Sequence, residues 1–337
     1  MSRPSEDELI ARYFAPLATA PGADGLTDDA AVLPAGAGDL VVTKDMLVAG
    51  VHFFPDDPPD LVARKALRVN LSDLAAKGAR PAGFLLALGL PADWTEAFLE
   101  AFTRGLATDI ERFGCPLYGG DTVKMPGPVT RPGPLTLSVT AFGRTGRTVR
   151  RNGAEPGDLI VVSGTIGDGA LGLKARLAER EPSLQPDWLK LLAPEHRAAL
   201  AGRYLLPEPR TGLADAVSAH ASAAMDISDG LAGDLAKLMK VSGVAGQVRL
   251  ADIPVSAAVR AARDLDTSLV TTMLTGGDDY EILATVPPGA LAAFEAAGRA
   301  AGVAVAVIGQ VTAGDGLAII DAAGQPLSLG AGRFEHF

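Results

Sequence analysis

Short apolar strands alternate with amphipathic helices along this chain, and no other feature constrains its fold as strongly. The continuous apolar run at 83–90 is typical of a buried strand, whereas apolar residues recur at helical spacing in 58–78. Near Arg150 a polar turn with glycine and proline interrupts the pattern, which then starts again. Because a single core rarely grows beyond about 250 residues, a chain of 337 residues predicts two α/β (α+β) domains, 1–150 and 151–337.

Composition and charge exclude several classes of protein. A hydrophobic fraction of 48% is too high for a disordered chain. A net charge of −10 argues against unspecific binding of nucleic acid, which requires a basic surface. Apolar runs stay below the roughly 18 residues that a membrane helix needs, and the first residues lack the apolar core of a signal peptide. Cys115 is the only cysteine, which excludes an intrachain disulfide. We therefore expect a cytoplasmic protein that binds neither nucleic acid nor membranes.

Aspartates recur in six short segments, and many of them lie beside glycines or at the ends of predicted strands. These segments are DDA at 28–30, TKD at 43–45, NLSD at 70–73, GGDT at 119–122, DISDG at 226–230 and GGDDY at 276–280. Aspartate supplies the hard oxygen ligands that Mg²⁺ prefers, and an adjacent glycine lets a phosphate approach the backbone. The recurrence of this pattern predicts a site at which magnesium ions bridge aspartates and phosphate.

Each segment also has a purely structural interpretation. An isolated Asp-Gly pair is usually a turn, Asp226 and Asp229 could cap the helix that follows them, and Asp73 could lie on a solvated helix face. The segment SGTIGDGALG at 163–172 resembles a phosphate-binding loop but lacks the lysine of the P-loop motif. Six acidic segments in one chain favour the magnesium and phosphate interpretation over six unrelated turns.

Seven motifs follow one another over nearly the whole chain. They are DDAAVL at 28–33, TKDMLVAGVHF at 43–53, KALRVNLSDLAAKGARP at 65–81, YGGDT at 118–122, RNGAEPGD at 151–158, MDISDGL at 225–231 and TGGDDYEIL at 275–283. Together they resemble the thiamine-monophosphate kinase family. The resemblance implies a fold like that of aminoimidazole ribonucleotide (AIR) synthetase, with an N-terminal sheet that forms a barrel across a homodimer and a C-terminal α/β domain. It also implies transfer of a phosphoryl group from ATP to thiamine phosphate, which gives thiamine diphosphate and ADP.

The resemblance further implies roles for individual residues. The expected ATP contacts are Gly120, Asp121, Arg151 and Ser228, and the expected thiamine phosphate contacts are His52, Asp278 and Phe334. The expected ligands of several Mg²⁺ ions are Asp29, Thr43, Lys44, Asp45, Asp73, Asp121, Asp226 and Asp229. Lys44 stands where the family usually has threonine, so it could instead pair with phosphate or neutralise an aspartate. Asp278 stands where many relatives have glutamate.

The charges of the implied substrates indicate a mechanism. ATP and a phosphate monoester repel each other, so metal ions on aspartates would neutralise and align them. The acceptor oxygen belongs to a phosphate whose second pKa is about 6, so we expect direct in-line transfer with no general base and no phosphoenzyme. Two alternatives remain: another ATP-dependent member of the superfamily and a non-catalytic nucleotide or metal sensor. A selenophosphate synthetase would need a reactive cysteine near the N-terminus, and none precedes Cys115.

Overall fold

A computed structural model describes residues 6–26 and 31–329. Two of the predicted site residues, Asp29 and Phe334, lie outside the described residues. The chain divides into two compact units, of which the first comprises 1–74 and 80–146 and the second comprises 75–79 and 147–337. Within the described part of the chain, no helix has the length and apolar character needed to span a bilayer.

The first unit is built on a four-stranded sheet. Its elements in chain order are α1 (Glu6–Leu9), β1 (Asp39–Val48), α2 (Pro59–Ala76), β2 (Arg80–Leu90), α3 (Glu96–Phe113), β3 (Leu117–Lys124) and β4 (Thr136–Thr145). The strands are arranged in the order β1-β4-β2-β3, and only β2 and β3 run parallel. Since β1 and β3 are edges, the described strands of this unit form an open sheet rather than a closed barrel.

The two faces of this sheet differ in exposure. Leu86 and Leu88 of β2 are buried, whereas the intervening Ala87 is exposed. On the edge strand β1 the exposed face carries apolar residues on either side of Lys44, since Val42 is 55% exposed and Met46 is 56% exposed. A pleated strand sends successive side chains to opposite faces, so the first unit has one packed face and one open face.

Helix α3 shows how local sequence sets the element boundaries. The hydroxyl of Thr95 accepts a hydrogen bond from the amide of Phe98 at 3.1 Å, and Gly114 ends the helix in the left-handed conformation with φ 59°. Both are preferred residues at these positions. The Arg68 guanidinium on α2 forms a fully buried ion pair with Asp109 on α3, with its Nε 2.6 Å from Oδ2 of that carboxylate. The amphipathic pattern at 95–112 predicts a helix opened by Thr95, and α3 confirms it.

The second unit is built on a six-stranded mixed sheet. Its elements in chain order are β5 (Leu159–Ser163), α4 (Asp168–Arg180), α5 (Asp187–Leu191), α6 (Pro194–Leu205), α7 (Ala214–His220), β6 (Ala223–Asp226), α8 (Leu231–Ser242), β7 (Ala245–Arg249), α9 (Ala257–Leu265), α10 (Leu269–Thr275), β8 (Ile282–Val286), α11 (Leu291–Ala300), β9 (Val305–Thr312) and β10 (Gly316–Ile320). The strand order is β10-β7-β9-β5-β8-β6, in which only β10 and β7 are parallel. Strand β6 therefore lies at an edge and delivers its C-terminal Asp226 to the loop before α8.

Two local features go beyond what the sequence predicts. The prolines at 182, 186 and 194 predict a surface excursion at 181–194. Much of this segment is exposed, but it contains α5, whose Trp188 is only 4% exposed. Pro194 occupies the start of α6, where a proline costs no hydrogen bond. Leu117 and Tyr118 before the glycines predict the end of a short strand, but β3 continues to Lys124 because the GGDT segment pairs with β2.

Gly120 is required by the close approach of β2 and β3. A Cβ atom at this position would lie 1.8 Å from the carbonyl oxygen of Leu86. We expect Gly120→Ala to lower the free energy of unfolding by about 1–3 kcal/mol or more, because backbone must shift to accept it. Urea denaturation measures the effect. Gly202→Ala is the matched control, since it lies in α6 with no atom within 4 Å of the new Cβ, and alanine should stabilise that helix slightly. Equal stability of the two variants would contradict this account.

Candidate functional site

Two predicted metal ligands of the first unit, one on β1 and the other on α2, are in contact. The hydroxyl of Thr43 donates a hydrogen bond to Oδ2 of Asp73 at 2.5 Å, and Asp45 follows on the same face of β1. Burial, and then the negative charge of Asp73, raise the pKa of Asp45 to about 6. Two half-buried carboxylates that repel each other, with a hydroxyl beside them, form a hard-oxygen donor set that fits a divalent cation. Asp73 therefore does not lie on a solvated helix face.

Other predicted residues of the first unit lie on the opposite face of the sheet. Lys44 pairs with Thr140 on β4, and Asp121 pairs with Ala87 on β2; both side chains are exposed on the open face. Gly120 lies on the packed face, like Asp45. Among the residues that the structure describes, no three histidine, cysteine, aspartate or glutamate side chains form a group that could hold a metal ion. Of the predicted ligands that the structure describes in the first unit, those brought together are thus Thr43, Asp45 and Asp73.

His52 lies in the turn that follows β1 and is held by hydrogen bonds with Val48 and Lys65. Its Nδ1 accepts a hydrogen bond from the amide of Val48 at 3.1 Å, and its carbonyl accepts one from Nζ of Lys65 at 3.2 Å. Because Nδ1 is an acceptor, the neutral ring carries its proton on Nε2. The ring thus has a defined orientation, with Nε2 as a hydrogen-bond donor.

In the second unit the DISDG and GGDD segments meet. The amide of Asp278 donates to the carbonyl of Ser228 at 3.0 Å, and the amide of Tyr280 donates to the carbonyl of Ile227 at 2.8 Å. Gly277 permits this contact, since a Cβ there would lie 2.0 Å from the carbonyl oxygen of Ser228. The predicted ATP contact Ser228 and the predicted substrate contact Asp278 are therefore neighbours. The two predicted metal ligands of this unit are close by in the chain, since Asp226 ends β6 and Asp229 lies in the loop that follows it.

A buried carboxylate on α8 fixes the DISDG loop. Oδ2 of Asp234 accepts hydrogen bonds from the amides of Ser228 at 3.1 Å and Asp229 at 3.0 Å. Nζ of Lys237 lies 2.5 Å from Oδ2 of Asp229 and 3.0 Å from Oδ1 of Asp234. The N-cap of α8 is Gly230, with no side-chain cap. Asp226 and Asp229 thus do not cap this helix. The amides of the residues before α8 donate hydrogen bonds to Asp234 instead.

Asp279 connects the GGDD segment to the glycine-rich loop before α4. Its fully buried carboxylate accepts hydrogen bonds from the amides of Gly167 at 2.8 Å and Gly169 at 3.0 Å. The residues on either side of it, Asp278 with φ 68° and Tyr280 with φ 52°, adopt left-handed conformations that cost energy for non-glycine residues. The loop that resembles a phosphate-binding segment therefore binds an internal carboxylate through these two amides.

Glu281 forms a second buried anchor two residues further on. It accepts hydrogen bonds from the hydroxyl of Ser163 at 2.6 Å and from Nε of Arg210 at 2.6 Å. Arg203 donates from Nη2 to Oε1 of Glu281 at 3.1 Å and to the carbonyl of Asp279 at 3.2 Å. Because Glu281 is fully buried, the two arginines supply the charge that it requires. This network holds the backbone on which Asp278 lies.

The ionisation of Asp279 should make the second unit less stable at high pH. Burial raises the pKa of this carboxyl to about 8, and the charges of Asp168 and Glu281 act in the same direction, against the two amides. The folded state then binds a proton that the unfolded chain releases near pH 4, so the free energy of unfolding falls as the pH rises from about 4 to about 8. Between pH 5.5 and 8.5, the free energy of unfolding should fall by roughly 1–3 kcal/mol less in Asp279→Asn than in the unsubstituted protein.

Fluorescence can follow this effect in the second unit alone. The chain has two tryptophans, Trp94 in the first unit and Trp188 in the second. Urea unfolding would be recorded from Trp188 in a Trp94→Phe background at several pH values. Parallel pH profiles with and without Asp279→Asn would show that this carboxyl does not titrate in the range.

Four residues that support the site were not predicted from the sequence. They are Asp234, Lys237, Asp279 and Glu281. Each is a charged residue at an inward position of an otherwise apolar helix or strand end, which is the signal that could have revealed it. The predicted ATP contact Arg151 lies in the turn before β5, where its carbonyl accepts a hydrogen bond from the hydroxyl of Ser242 at 2.9 Å and its side chain is exposed.

Comparison with known proteins identifies the family. Models of the AIR synthase related protein, N-terminal and C-terminal domains, match residues 27–145 and 155–322. The chain is 46% identical over 321 residues to the thiamine-monophosphate kinase of Caulobacter vibrioides, which covers 93% of this chain and 86% of the relative. The chain belongs to the thiamine-monophosphate kinase family. Membership of this family identifies it as an enzyme and confirms the two-domain AIR-synthase-like α/β fold.

Other members of the thiamine-monophosphate kinase family agree in length and structure. The Escherichia coli K12 relative is 40% identical over 338 residues, with 98% of each chain covered. A solved structure described as AaThiL complexed with AMPPCP and TMP superimposes with a TM-score of 0.76 at 31% identity, covering 92% of this chain and 91% of that one.

Proposed function

We propose that the chain transfers the γ-phosphoryl group of ATP to thiamine phosphate and so forms thiamine diphosphate and ADP. The observation that carries this proposal is the contact between Ser228 and Asp278, because it joins the predicted nucleotide segment to the predicted acceptor segment. Family membership supports it, as does the similar structure described with both AMPPCP, an analogue of ATP, and TMP.

We further propose that Mg²⁺ ions bind to Asp29, Thr43, Lys44, Asp45, Asp73, Asp121, Asp226 and Asp229. The carboxylate pair Asp45 and Asp73 supports this assignment best, because burial and then the charge of Asp73 raise the pKa of Asp45, and a divalent cation would relieve both effects. For Lys44 and Asp121 the exposed side chains on the open face give no such support. When bound, magnesium would neutralise the phosphate oxygens of the two anionic substrates.

The protein's own residues then position the reactants. Asp234 fixes the amides of Ser228 and Asp229, and Asp279 fixes the backbone next to Asp278. His52 would present Nε2–H to the anionic acceptor, because its Nδ1 is already bonded to Val48. A non-bridging oxygen of thiamine phosphate attacks the γ-phosphorus in line, and the bond to the β-phosphate oxygen breaks with its electron pair leaving on ADP. The attacking oxygen of thiamine phosphate is mostly deprotonated at pH 7, so no general base is required.

We also propose that the open face of the first unit forms a homodimer in which the two sheets close into one barrel. The exposed apolar residues of β1 support this proposal, since large apolar patches on a surface usually mark interfaces. We expect Val42→Lys to convert the dimer to a monomer in light scattering, because a charge would be buried at the interface. Val241→Lys on α8, where the valine is 53% exposed, is the control. A monomeric unsubstituted protein would refute the dimer.

One assay tests the proposed activity. ADP release from ATP and Mg²⁺ would be measured with and without thiamine phosphate, with aminoimidazole precursors as controls. We expect ADP release that depends on thiamine phosphate and is accompanied by formation of thiamine diphosphate. Release with an aminoimidazole substrate would favour another member of the superfamily, and binding of ATP without any turnover would favour a sensor. A labelled phosphoprotein trapped on mixing with radioactive ATP would overturn direct transfer.

A further inference from the structure

Lys237 provides a cation that is already bound to the DISDG loop. Its Nζ lies 2.5 Å from Oδ2 of Asp229 and 3.0 Å from Oδ1 of Asp234. The two carboxylates differ in exposure, because Asp229 is 39% exposed and Asp234 is fully buried. The ammonium group thus links an internal carboxylate to one that can reach a ligand.

The loop backbone does not depend on Lys237. The amides of Ser228 and Asp229 are bonded by Oδ2 of Asp234, whereas Lys237 contacts the other oxygen, Oδ1. The ammonium group could therefore leave Asp229 and stay on Asp234 without releasing the loop. The position of Lys237 suits an exchangeable counter-ion better than a structural support.

An ammonium group on Asp229 opposes a second cation at the same carboxylate. It neutralises the negative charge that a divalent ion would use, and it repels that ion at short range. The pair is only partly exposed, with 29% of the Lys237 side chain accessible, so solvent screens this repulsion incompletely. A divalent ion must therefore displace the ammonium group or bind beside it with a lower affinity.

We propose that Lys237 is a resident counter-ion of Asp229 that weakens the binding of a divalent cation to the loop until nucleotide phosphates add their charge. This inference rests on the proposed function, in which Asp229 is a magnesium ligand. Lys237 thereby acts as a positioning residue that makes metal binding conditional on the nucleotide.

The test uses Mn²⁺ alone as a spectroscopic substitute for Mg²⁺, with the full chain and no nucleotide. Free Mn²⁺ is quantified by its electron paramagnetic resonance signal during titration. We expect Lys237→Met to bind the ion about three- to tenfold more tightly, the size of effect that one partly exposed charge pair produces. Lys237→Arg keeps the charge and should behave like the unsubstituted protein. Lys240→Met removes the same charge from an exposed position of the same helix and should also leave the affinity unchanged.

A double-mutant cycle with Asp229→Asn assigns the effect to the pair. The gain from Lys237→Met should vanish in the Asp229→Asn background, and thermal unfolding without metal should show that each variant is folded. Unchanged or weaker binding by Lys237→Met, with weaker binding by Asp229→Asn, overturns the counter-ion proposal and leaves the metal assignment intact. Unchanged binding by Asp229→Asn would instead refute Asp229 as a ligand, and with it the inference that depends on it.

Discussion

Asp73→Asn is expected to reduce kcat/KM by at least about 10³-fold, because metal-assisted neutralisation of phosphate charge contributes several kcal/mol to phosphoryl transfer. Asparagine keeps the shape of the side chain and can still accept the hydrogen bond from Thr43. It also removes the negative charge that helps to raise the pKa of Asp45, so the first unit should be as stable as before or more stable. The measurement is steady-state formation of thiamine diphosphate, together with thermal unfolding.

The matched control for this prediction is Asp93→Asn. Asp93 is an exposed carboxylate in the same unit, between β2 and α3, and its substitution should leave turnover within about twofold of the unsubstituted protein, as for most surface changes. If Asp73→Asn retained near-normal activity, the assignment of a metal ion to the Asp45 and Asp73 pair would fail. Loss of activity accompanied by unfolding would indicate a structural role for Asp73 instead.

Glu281→Ala is expected to destabilise the second unit by about 3–5 kcal/mol, because it leaves two partly buried guanidinium groups without their carboxylate. The side chain of Glu281 has no exposed surface, and Arg203 and Arg210 are only 23% and 18% exposed. The hydroxyl of Ser163 also loses its acceptor. Urea unfolding followed through Trp188 in a Trp94→Phe background measures this loss in the unit concerned.

An exposed ion pair gives the appropriate comparison for Glu281. Glu295 lies 3.9 Å from Arg299 on α11, with side chains 37% and 70% exposed, so Glu295→Ala should cost less than about 1 kcal/mol. Glu281→Gln, which keeps the size but not the charge, should fall between the two. A loss below 1 kcal/mol for Glu281→Ala would show that the arginines find other partners in the folded protein.

Much of the fold was predictable because local signals and burial agree. Thr95 and Gly114 mark the ends of α3 by capping alone, and the apolar run at 83–90 lies within β2. The errors arose where one residue type has two uses. Prolines at 182, 186 and 194 predict a surface excursion, whereas Pro194 begins a helix. The glycines of GGDT predict the end of a strand, although they permit close strand pairing.

The candidate site was predictable only as a set of segments. Motif order indicated that DISDG and GGDD belong together, but nothing in the sequence indicates that the amide of Asp278 bonds the carbonyl of Ser228. The partners of Asp279 are backbone amides 110 and 112 residues away, and amides carry no side-chain signature. Asp234 was missed for the same reason, since one of its two oxygens binds amides of the loop.

The carboxylate of Asp279 has a consequence for inhibition by anions. Because it is tethered beside the amides of Gly167 and Gly169, its effective concentration there exceeds that of any dissolved anion at ordinary buffer strength. Sulfate and inorganic phosphate should therefore not compete at the start of α4, although this segment resembles a nucleotide-binding loop. Any inhibition by these salts would report on other parts of the molecule.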